Sequence, residues 1–393
     1  MTQALIIGGG IAGPVAAMAL ERAGIHPIVY EAYSSSAYEA GAFLTIAVNG
    51  LAALRTLGLD RPVMARGFSS PTIEFRSGTG KRLGTIPVGG TLEDGTVSQT
   101  IRRADLYAVL YDAARRRGIR VEHGKRLVDA AVGTRGVVAR FADGSEAAGD
   151  LLIGADGIHS RVRRLIDPAA PEPRHLRLGN IGGYAPAGLV SDPPGHGAMI
   201  FGKRAFFGYF VSPSGEIWWF ANPRSAPGAE PPARPSDLAA LFRDDAGPAA
   251  RIIEGATTVL TGRDQHDLPR VPAWSRGPLV IIGDAAHAAS PSSGQGASLA
   301  IEDALVLAQC LRDVGDPARA FAAYERLRRP RVERVVAFGA RTAGTKTPGP
   351  IGRAVRDFVL PIVLRRFAQA PQEWLYGYRV QWESRVTSDA RAA

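Results

Sequence analysis

Cysteine is almost missing from this 393-residue chain, which has one, Cys310. An intramolecular disulfide is therefore impossible, and the expected setting is a reducing cytoplasm. Cys310 stands beside Leu311 in an apolar helical pattern and reads as a small core residue. Lysine is nearly as scarce. Only Lys81, Lys125, Lys203 and Lys346 occur, so the net charge of +10 is carried almost wholly by arginine. The arginines are spread through helical stretches such as Arg115-Arg116-Arg117 and Arg328-Arg329-Pro330-Arg331. They form no basic tail, and no nucleic-acid motif accompanies them. A solvated basic surface that attracts anionic substrates is expected, with no nucleic-acid partner. The seven histidines show no metal-ligand spacing, so no metal site is expected. Long hydrophobic runs are missing as well. Residues 4–20 are apolar enough to imitate a signal-peptide core, but no Lys or Arg precedes them, and Gly8-Gly9-Gly10, Gly13 and Pro14 interrupt them. A soluble protein with no membrane insertion is the expectation.

What is present is an ordinary globular composition, 46% hydrophobic and 21% charged, in a chain long enough for two or more domains. Leu5-Ile6-Ile7 reads as a strand, and Gly8-x-Gly10-x-x-Gly13 follows at once. A helix that buries Ile11, Val15 and Met18 comes next, with Ala12 and Pro14 in its first turn. A second strand, 25–30, closes on Glu31. Glycines at this spacing permit a tight turn and let a pyrophosphate approach the helix start. An acid about twenty residues on can accept hydrogen bonds from a ribose. Glu31 would repel a 2′-phosphate, which favours FAD or NAD over NADP as the tightly held nucleotide.

Residues 41–59 read as a loop and short helix, 72–88 as a hairpin turning at Gly78-Thr79-Gly80, and 101–117 as a helix carrying Arg103, Leu106 and Leu110. Strands 120–122, 127–132 and 137–141 suggest a meander, with Asp143-Gly144 as a turn. Residues 150–157 (DLLIGADG) form another buried strand ending in Asp156-Gly157. From 177 to 265 the chain becomes rich in aromatic β-formers: 181–184, 198–201, 206–211 and 217–220. A Pro/Ala loop at 225–235 and a helix at 236–243 follow. The last third is helical, broken at 345–350. Its final apolar-spaced segment, 355–382, is expected to pack across both domains, with membrane-surface binding as the alternative.

One stretch organises the rest: 283–304, GDAAHAASPSSGQGASLAIEDA. The run Val280-Ile281-Ile282 leads into Gly283-Asp284, then a loop of small residues, then Gly294-Gln295-Gly296 opening an amphipathic segment. A buried strand, a Gly-rich loop and a helix start follow from this order, and such a start offers unpaired N–H groups and a positive dipole end to an electron-rich ligand.

Three motifs thus stand in order: Gly8-x-Gly10-x-x-Gly13 with Glu31, Gly154-Ala155-Asp156-Gly157 with Arg163, and Gly283-Asp284 with Pro291-x-x-Gly294-x-Gly296. Together they resemble the class A flavoprotein monooxygenases, the para-hydroxybenzoate hydroxylase family, and within it the salicylate hydroxylase, urate hydroxylase and tetracycline-inactivating branches. The resemblance spans essentially the whole chain. It implies an α/β fold, with a discontinuous Rossmann-like FAD-binding domain (1–71, 98–176, 266–345) and an inserted, mainly antiparallel substrate domain (72–97, 177–265). A long C-terminal helix would occupy 346–393.

The resemblance also implies roles. Gly8, Gly10, Ala12 and Gly13 would hold the FAD pyrophosphate, and Glu31 the adenosine ribose. Ala32 stands where many members carry a basic residue beside the adenine. Arg103 would reach the pyrophosphate and ribityl side, and Asp284 the ribityl hydroxyls. Pro291, Gly294, Gln295, Gly296 and Ala297 would line the isoalloxazine where the reaction occurs. Asp156 would serve FAD and nicotinamide, or simply fix a turn. Ser298 departs from the Asn frequent in the tetracycline-inactivating branch.

The implied reaction uses NADH or NADPH as a transient co-substrate and molecular oxygen. A flavin C4a-hydroperoxide would then hydroxylate an aromatic or polyketide-like small molecule. Baeyer–Villiger oxygenation, epoxidation or dehydrogenation on the same fold is the alternative, and a non-catalytic flavin-bound redox sensor is the second. For the substrate wall, alternation sets Phe207 and Tyr209 on one face and Phe206, Gly208 and Phe210 on the other; Phe207 and Tyr209 are taken as the candidates.

Overall fold

The computed structural model describes residues 2–34, 42–134, 136–228, 232, 234–260, 264–369 and 372–387. Gly41, part of the 225–235 loop and residues 388–393 lie outside the described residues.

A six-stranded sheet forms the first layer. Its order is Ser275–Arg276, Leu279–Ile281, Leu151–Gly154, Gln3–Ile7, His26–Tyr30, Arg120–Glu122. All neighbours are parallel except the first pair. Strands such as Leu151–Gly154 are buried along their whole length because both faces of the sheet are covered, one by helices and the other by a three-stranded meander that sets Phe141 on Tyr30 and Gly149 against Leu5, which explains their continuous apolar sequences. The 120–122 strand joins this sheet and not the meander expected for it. The meander consists of Leu127–Gly133, Gly136–Phe141 and Glu146–Gly149.

A seven-stranded sheet forms the second layer, in the order Thr258–Leu260, Ile181–Ala185, Ile217–Pro223, Ala205–Val211, Gly197–Phe201, Thr72–Ser77, Arg82–Pro87. It is antiparallel except where Gly197–Phe201 meets Thr72–Ser77. Its back face packs on the short helices Pro235–Ala240 and Ala249–Glu254. Between the layers, Phe43–Ile46 pairs with Gln99–Arg102, a strand where the sequence suggested a loop. That pairing also delays the following helix, which runs Arg103–Arg116 and so begins on Arg103.

Helices Gly296–Val314 and Pro317–Gly344 pack on the first layer. The second tolerates Pro330 internally, a residue that removes one hydrogen bond from the helix ladder. The C-terminal segment then divides. Helix Pro350–Gln369 lies on the Arg82–Pro87 edge, inserting Leu364 beside Leu83, Phe201 and Phe206. Its opposite side leaves Ile351, Val355, Phe358 and Ile362 exposed, so its apolar positions are not all consumed by packing. Residues 381–386 return to the first layer. There Trp382 lies between Arg22 and Arg312, and Gln309 donates to the carbonyls of Gln381 and Ser384.

Candidate functional site

The first glycine turn is forced by backbone packing. Gly8 has φ 107°, and a Cβ there would lie 2.3 Å from the Ala155 carbonyl oxygen; one on Gly13 would lie 1.9 Å from that of Gly8. Gly10 is different, since a Cβ on it would meet nothing within 4 Å. It fronts open space at the start of helix Ala12–Arg22, which has no capping side chain and no acid in its first turn. Those N–H groups are available to an anion such as a pyrophosphate. Glu31 is buried beside this turn. Its carboxylate accepts from Gly9 N at 2.5 Å and Tyr33 N at 2.9 Å, which leaves each oxygen a further lone pair for a ribose hydroxyl. Ala32 follows, half-buried.

Asp156 takes the turn-fixing part foreseen for it. It accepts from Ser160 Oγ at 2.5 Å and from the backbone of Arg161 and Val162 at 2.7 and 3.1 Å. Burial nevertheless raises its carboxyl above the usual range. Arg163 is buried and ties this turn to the 283–287 segment by donating to the carbonyls of Ile158 and Ala285.

Gly283 has φ 59°, and its Cα sits so close to its neighbours that a Cβ would be 3.2 Å from Ala300 Cβ and 3.4 Å from Ala12 Cβ. This contact carries Asp284 to the mouth of the first glycine turn. Asp284 is exposed by surface area, yet the protein packed around its carboxyl desolvates and raises it, while His287 and Arg103 pull it back. Arg103 donates to Tyr107 Oη at 3.0 Å. Burial works against its charge, but Tyr107 and Asp284 raise it overall. Thus Arg103 and Asp284, 181 positions apart, share one electrostatic environment. Pro291 and Gly294 are exposed, and Gly296 and Ala297 half-buried. A Cβ on Gly294 or Gly296 would meet nothing within 4 Å, so these glycines also border open space. Gln295 turns its side chain inward: it is fully buried, and its Oε1 accepts from Asn49 at 2.9 Å, which leaves its backbone to the loop.

Beneath this loop lies a network that sequence reasoning missed. Asp303 accepts from Gly283 N at 3.0 Å, from Arg328 Nε at 2.7 Å, and bonds His287 Nε2. Its neighbour Glu302 accepts from Asn49 Nδ2 at 2.6 Å and from both Arg331 nitrogens at 2.9 Å, and pairs with Arg328. Burial alone would raise Asp303, but His287 and Arg328 hold it well below the usual carboxylate range. Arg328 is fully buried, and Arg331 nearly so, which corrects the reading of this arginine run as a solvated face. The available signal was the pair Glu302-Asp303 inside an apolar helical stretch, which demands buried cations. The network fixes Gly283, Asn49 and Gln295, and through them the loop. Among the described residues Gln295 Nε2 and Ser298 Oγ remain buried without partners at the loop, as polar atoms next to a bound ligand or water would.

The wall opposite is the front face of the seven-stranded sheet. Phe207 and Tyr209 are not on it. Both are fully buried behind the sheet against Phe242, Leu238 and Ile252, and Tyr209 Oη donates to Asp192 at 2.6 Å. Strand alternation is preserved, but helices occupy that side, so the substrate assignment moves to the other set. On the front face, Gly208 provides the space in which the Phe220 ring and Met199 sulfur lie, 2.5 and 2.7 Å from the position a Cβ would take. Phe220, Met199, Tyr184 and Phe43 are half-buried there, with Phe43 6.2 Å from Phe220 and 5.9 Å from Phe210.

Residues 1–339 match the family model described as an FAD binding domain. The aurachin C monooxygenase/isomerase of Stigmatella aurantiaca is 32% identical over 355 residues, 89% of each chain. The FAD-dependent urate hydroxylase of Klebsiella pneumoniae is 30% identical over 339 residues, 85% of this chain and 88% of that one. The crystal structure of Klebsiella pneumoniae HpxO complexed with FAD and uric acid superposes with a TM-score of 0.84 at 26% identity, over 94% of this chain and 96% of that one. The open glycine borders, the uncapped helix start and the electrostatic coupling of Arg103 with Asp284 suit FAD, and the chain belongs to the family of FAD-dependent monooxygenases.

Proposed function

We propose that the enzyme holds FAD along the path from Gly10 to Gly296 and hydroxylates an aromatic small molecule lodged between the 291–297 loop and the front sheet face. The observation that carries this reading is the convergence of Arg103, Asp284 and two open glycine borders beside an apolar wall of Phe43, Phe220 and Met199. FAD, when bound, supplies the redox chemistry by which NAD(P)H electrons activate oxygen.

The chain's own residues bind, orient and exclude water. Helix Ala12–Arg22 directs its first N–H groups at the pyrophosphate. Glu31 offers lone pairs to the ribose, and Asp284 accepts from ribityl hydroxyls with Arg103 beside it. At the other end, the start of helix Gly296–Val314 presents backbone N–H groups and a positive dipole end to negative charge on the ring. The front-face aromatics keep water from the reacting atoms. The boundaries proposed for the cofactor region are 1–71, 98–176 and 266–345, for the substrate region 72–97 and 177–265, and for the C-terminal region 346–393. A cytoplasmic location is part of the same proposal.

Asp284→Ala tests the assignment. Loss of a charged hydrogen-bonding partner should weaken FAD binding roughly 10- to 100-fold, measured by flavin fluorescence during titration of apoprotein. Full flavin occupancy of the variant at nanomolar FAD would remove Asp284 from the site. Product mass under labelled oxygen tests the reaction: one labelled atom in the product is expected, and its absence excludes oxygen insertion.

A further inference from the structure

Of the four lysines, Lys346 is the buried one, 5% exposed, whereas Lys81 and Lys203 are exposed. It lies just beyond helix Pro317–Gly344, in the link to helix Pro350–Gln369. Its ammonium sits 4.3 Å from the Phe206 ring centre and 5.8 Å from that of Phe220, both on the front sheet face. It donates to Asn222 Oδ1 at 2.6 Å. No carboxylate accepts from it among the described residues.

Charged neighbours do not compensate. Arg224 reaches the Thr347 carbonyl and adds positive charge. On the adjoining helix, Arg356 lies over Phe201 and is paired with Asp357 at 2.7 Å. The strands against Lys346 contribute aromatic rings and Asn222. An ammonium has three N–H donors, and burial without a counter-ion is costly unless a ligand brings the charge. The lysine is also wired toward the flavin loop. Asn222 Nδ2 and Gln265 Nε2 both donate to the Gly179 carbonyl, at 3.0 and 3.4 Å, and Ser290, next to Pro291, donates to Gln265 at 3.5 Å.

We propose that Lys346 is the specificity-determining cation of the substrate site, receiving the carboxylate of an aromatic acid whose ring lies along the half-buried Phe220, while the buried Phe206 backs the ammonium. This rests on the monooxygenase reading and narrows its substrate class. Binding couples to protonation. Burial alone lowers the amine to about 7 in the free enzyme. A carboxylate partner favours the charged form, so ligand binding above neutral pH takes up a proton.

The test titrates wild-type holoenzyme and the K346M and K346R variants with benzoate and 4-hydroxybenzoate, and with benzamide as uncharged control. Flavin absorbance gives the Kd between pH 6 and 9. In the wild type, benzoate affinity should be flat below about pH 7 and fall about tenfold per unit above it. K346M should bind benzoate roughly 10- to 100-fold more weakly, without that decline, and bind benzamide as the wild type does. K346R, charged throughout, should keep benzoate binding and lose the decline, which serves if K346M does not fold. Wild-type holoenzyme that shows no saturable response to either carboxylate overturns the proposal, as does a K346M or K346R profile that matches the wild type. A wild type that hydroxylates an aromatic without binding carboxylates sinks the lysine assignment alone. Failure to take up FAD or oxidise NAD(P)H sinks the underlying reading.

Discussion

Two hidden carboxylates depend on the Arg328 side chain. It pairs with Glu302 and Asp303, all three being fully buried. Arg328→Met leaves two carboxylates short of a partner in the interior, and a loss of about 3–5 kcal/mol is expected in urea unfolding. Asp303 supplies the acid limb of the stability curve. Its folded-state pKa lies below the ordinary value near 3.9, so its contribution is complete above that value and is lost as pH falls toward the folded pKa. Asp303→Asn should flatten the decline in unfolding free energy below about pH 4. Lys346 acts in the opposite range. The unfolded chain binds its proton more tightly, so unfolding free energy should rise with pH from about 7 toward about 10. In K346M that rise should be reduced. Legibility at this scale followed chemistry with local consequences. Gly8, Gly13 and Asp284 are marked by motif spacing, whereas Arg328 and Lys346 owe their importance to partners 25 to 124 residues away.

Among elements, helix Pro317–Gly344 and the 290–293 segment meet closely. A Cβ on Gly339 would lie 3.0 Å from Ser293 Cβ and 3.4 Å from the Ser290 carbonyl oxygen. Gly339→Val should push Pro291 outward and raise the Kd for FAD while leaving far-ultraviolet circular dichroism unchanged. Helix Pro350–Gln369 presents a different property. Its exposed Ile351, Val355, Phe358 and Ile362 follow one face at helical spacing. Replacing Phe358 and Ile362 together by Gln should lower binding of an anilinonaphthalene dye with little change in Tm, because neither side chain is buried. The apolar periodicity of this segment was legible in the sequence. Its exposed side was not, because periodicity identifies an apolar stripe without specifying what covers it. The same limit reversed the choice between Phe207 and Phe206: alternation separates the two faces, but the covering helices come from residues 235–254, outside the strand.

For the whole molecule, the discontinuous order of the two layers was readable because strand, glycine turn and acid recur in a fixed sequence along the chain. The 120–122 strand was misplaced because a three-residue run carries no record of its neighbour, and only the His26–Tyr30 edge determines its pairing. The net charge of +10 is a property of no single site. It should accelerate encounter with the anionic nicotinamide co-substrate. The second-order rate of flavin reduction should therefore fall by several-fold between about 10 and 300 mM salt, with the limiting rate at saturation unchanged.

The buried amine at position 346 has one more consequence, in reactivity. An ordinary lysine is almost wholly ammonium at neutral pH, whereas burial pushes the Lys346 amine down to about 7 and so raises its share of free amine there. It is therefore a nucleophile in a chain with three other lysines and a single thiol that burial raises to about 12. An aryl aldehyde followed by borohydride, or a flat activated ester small enough to enter the substrate site, should modify Lys346 ahead of the other three lysines at about pH 7, as read by peptide mass. Excess benzoate should protect the amine from it.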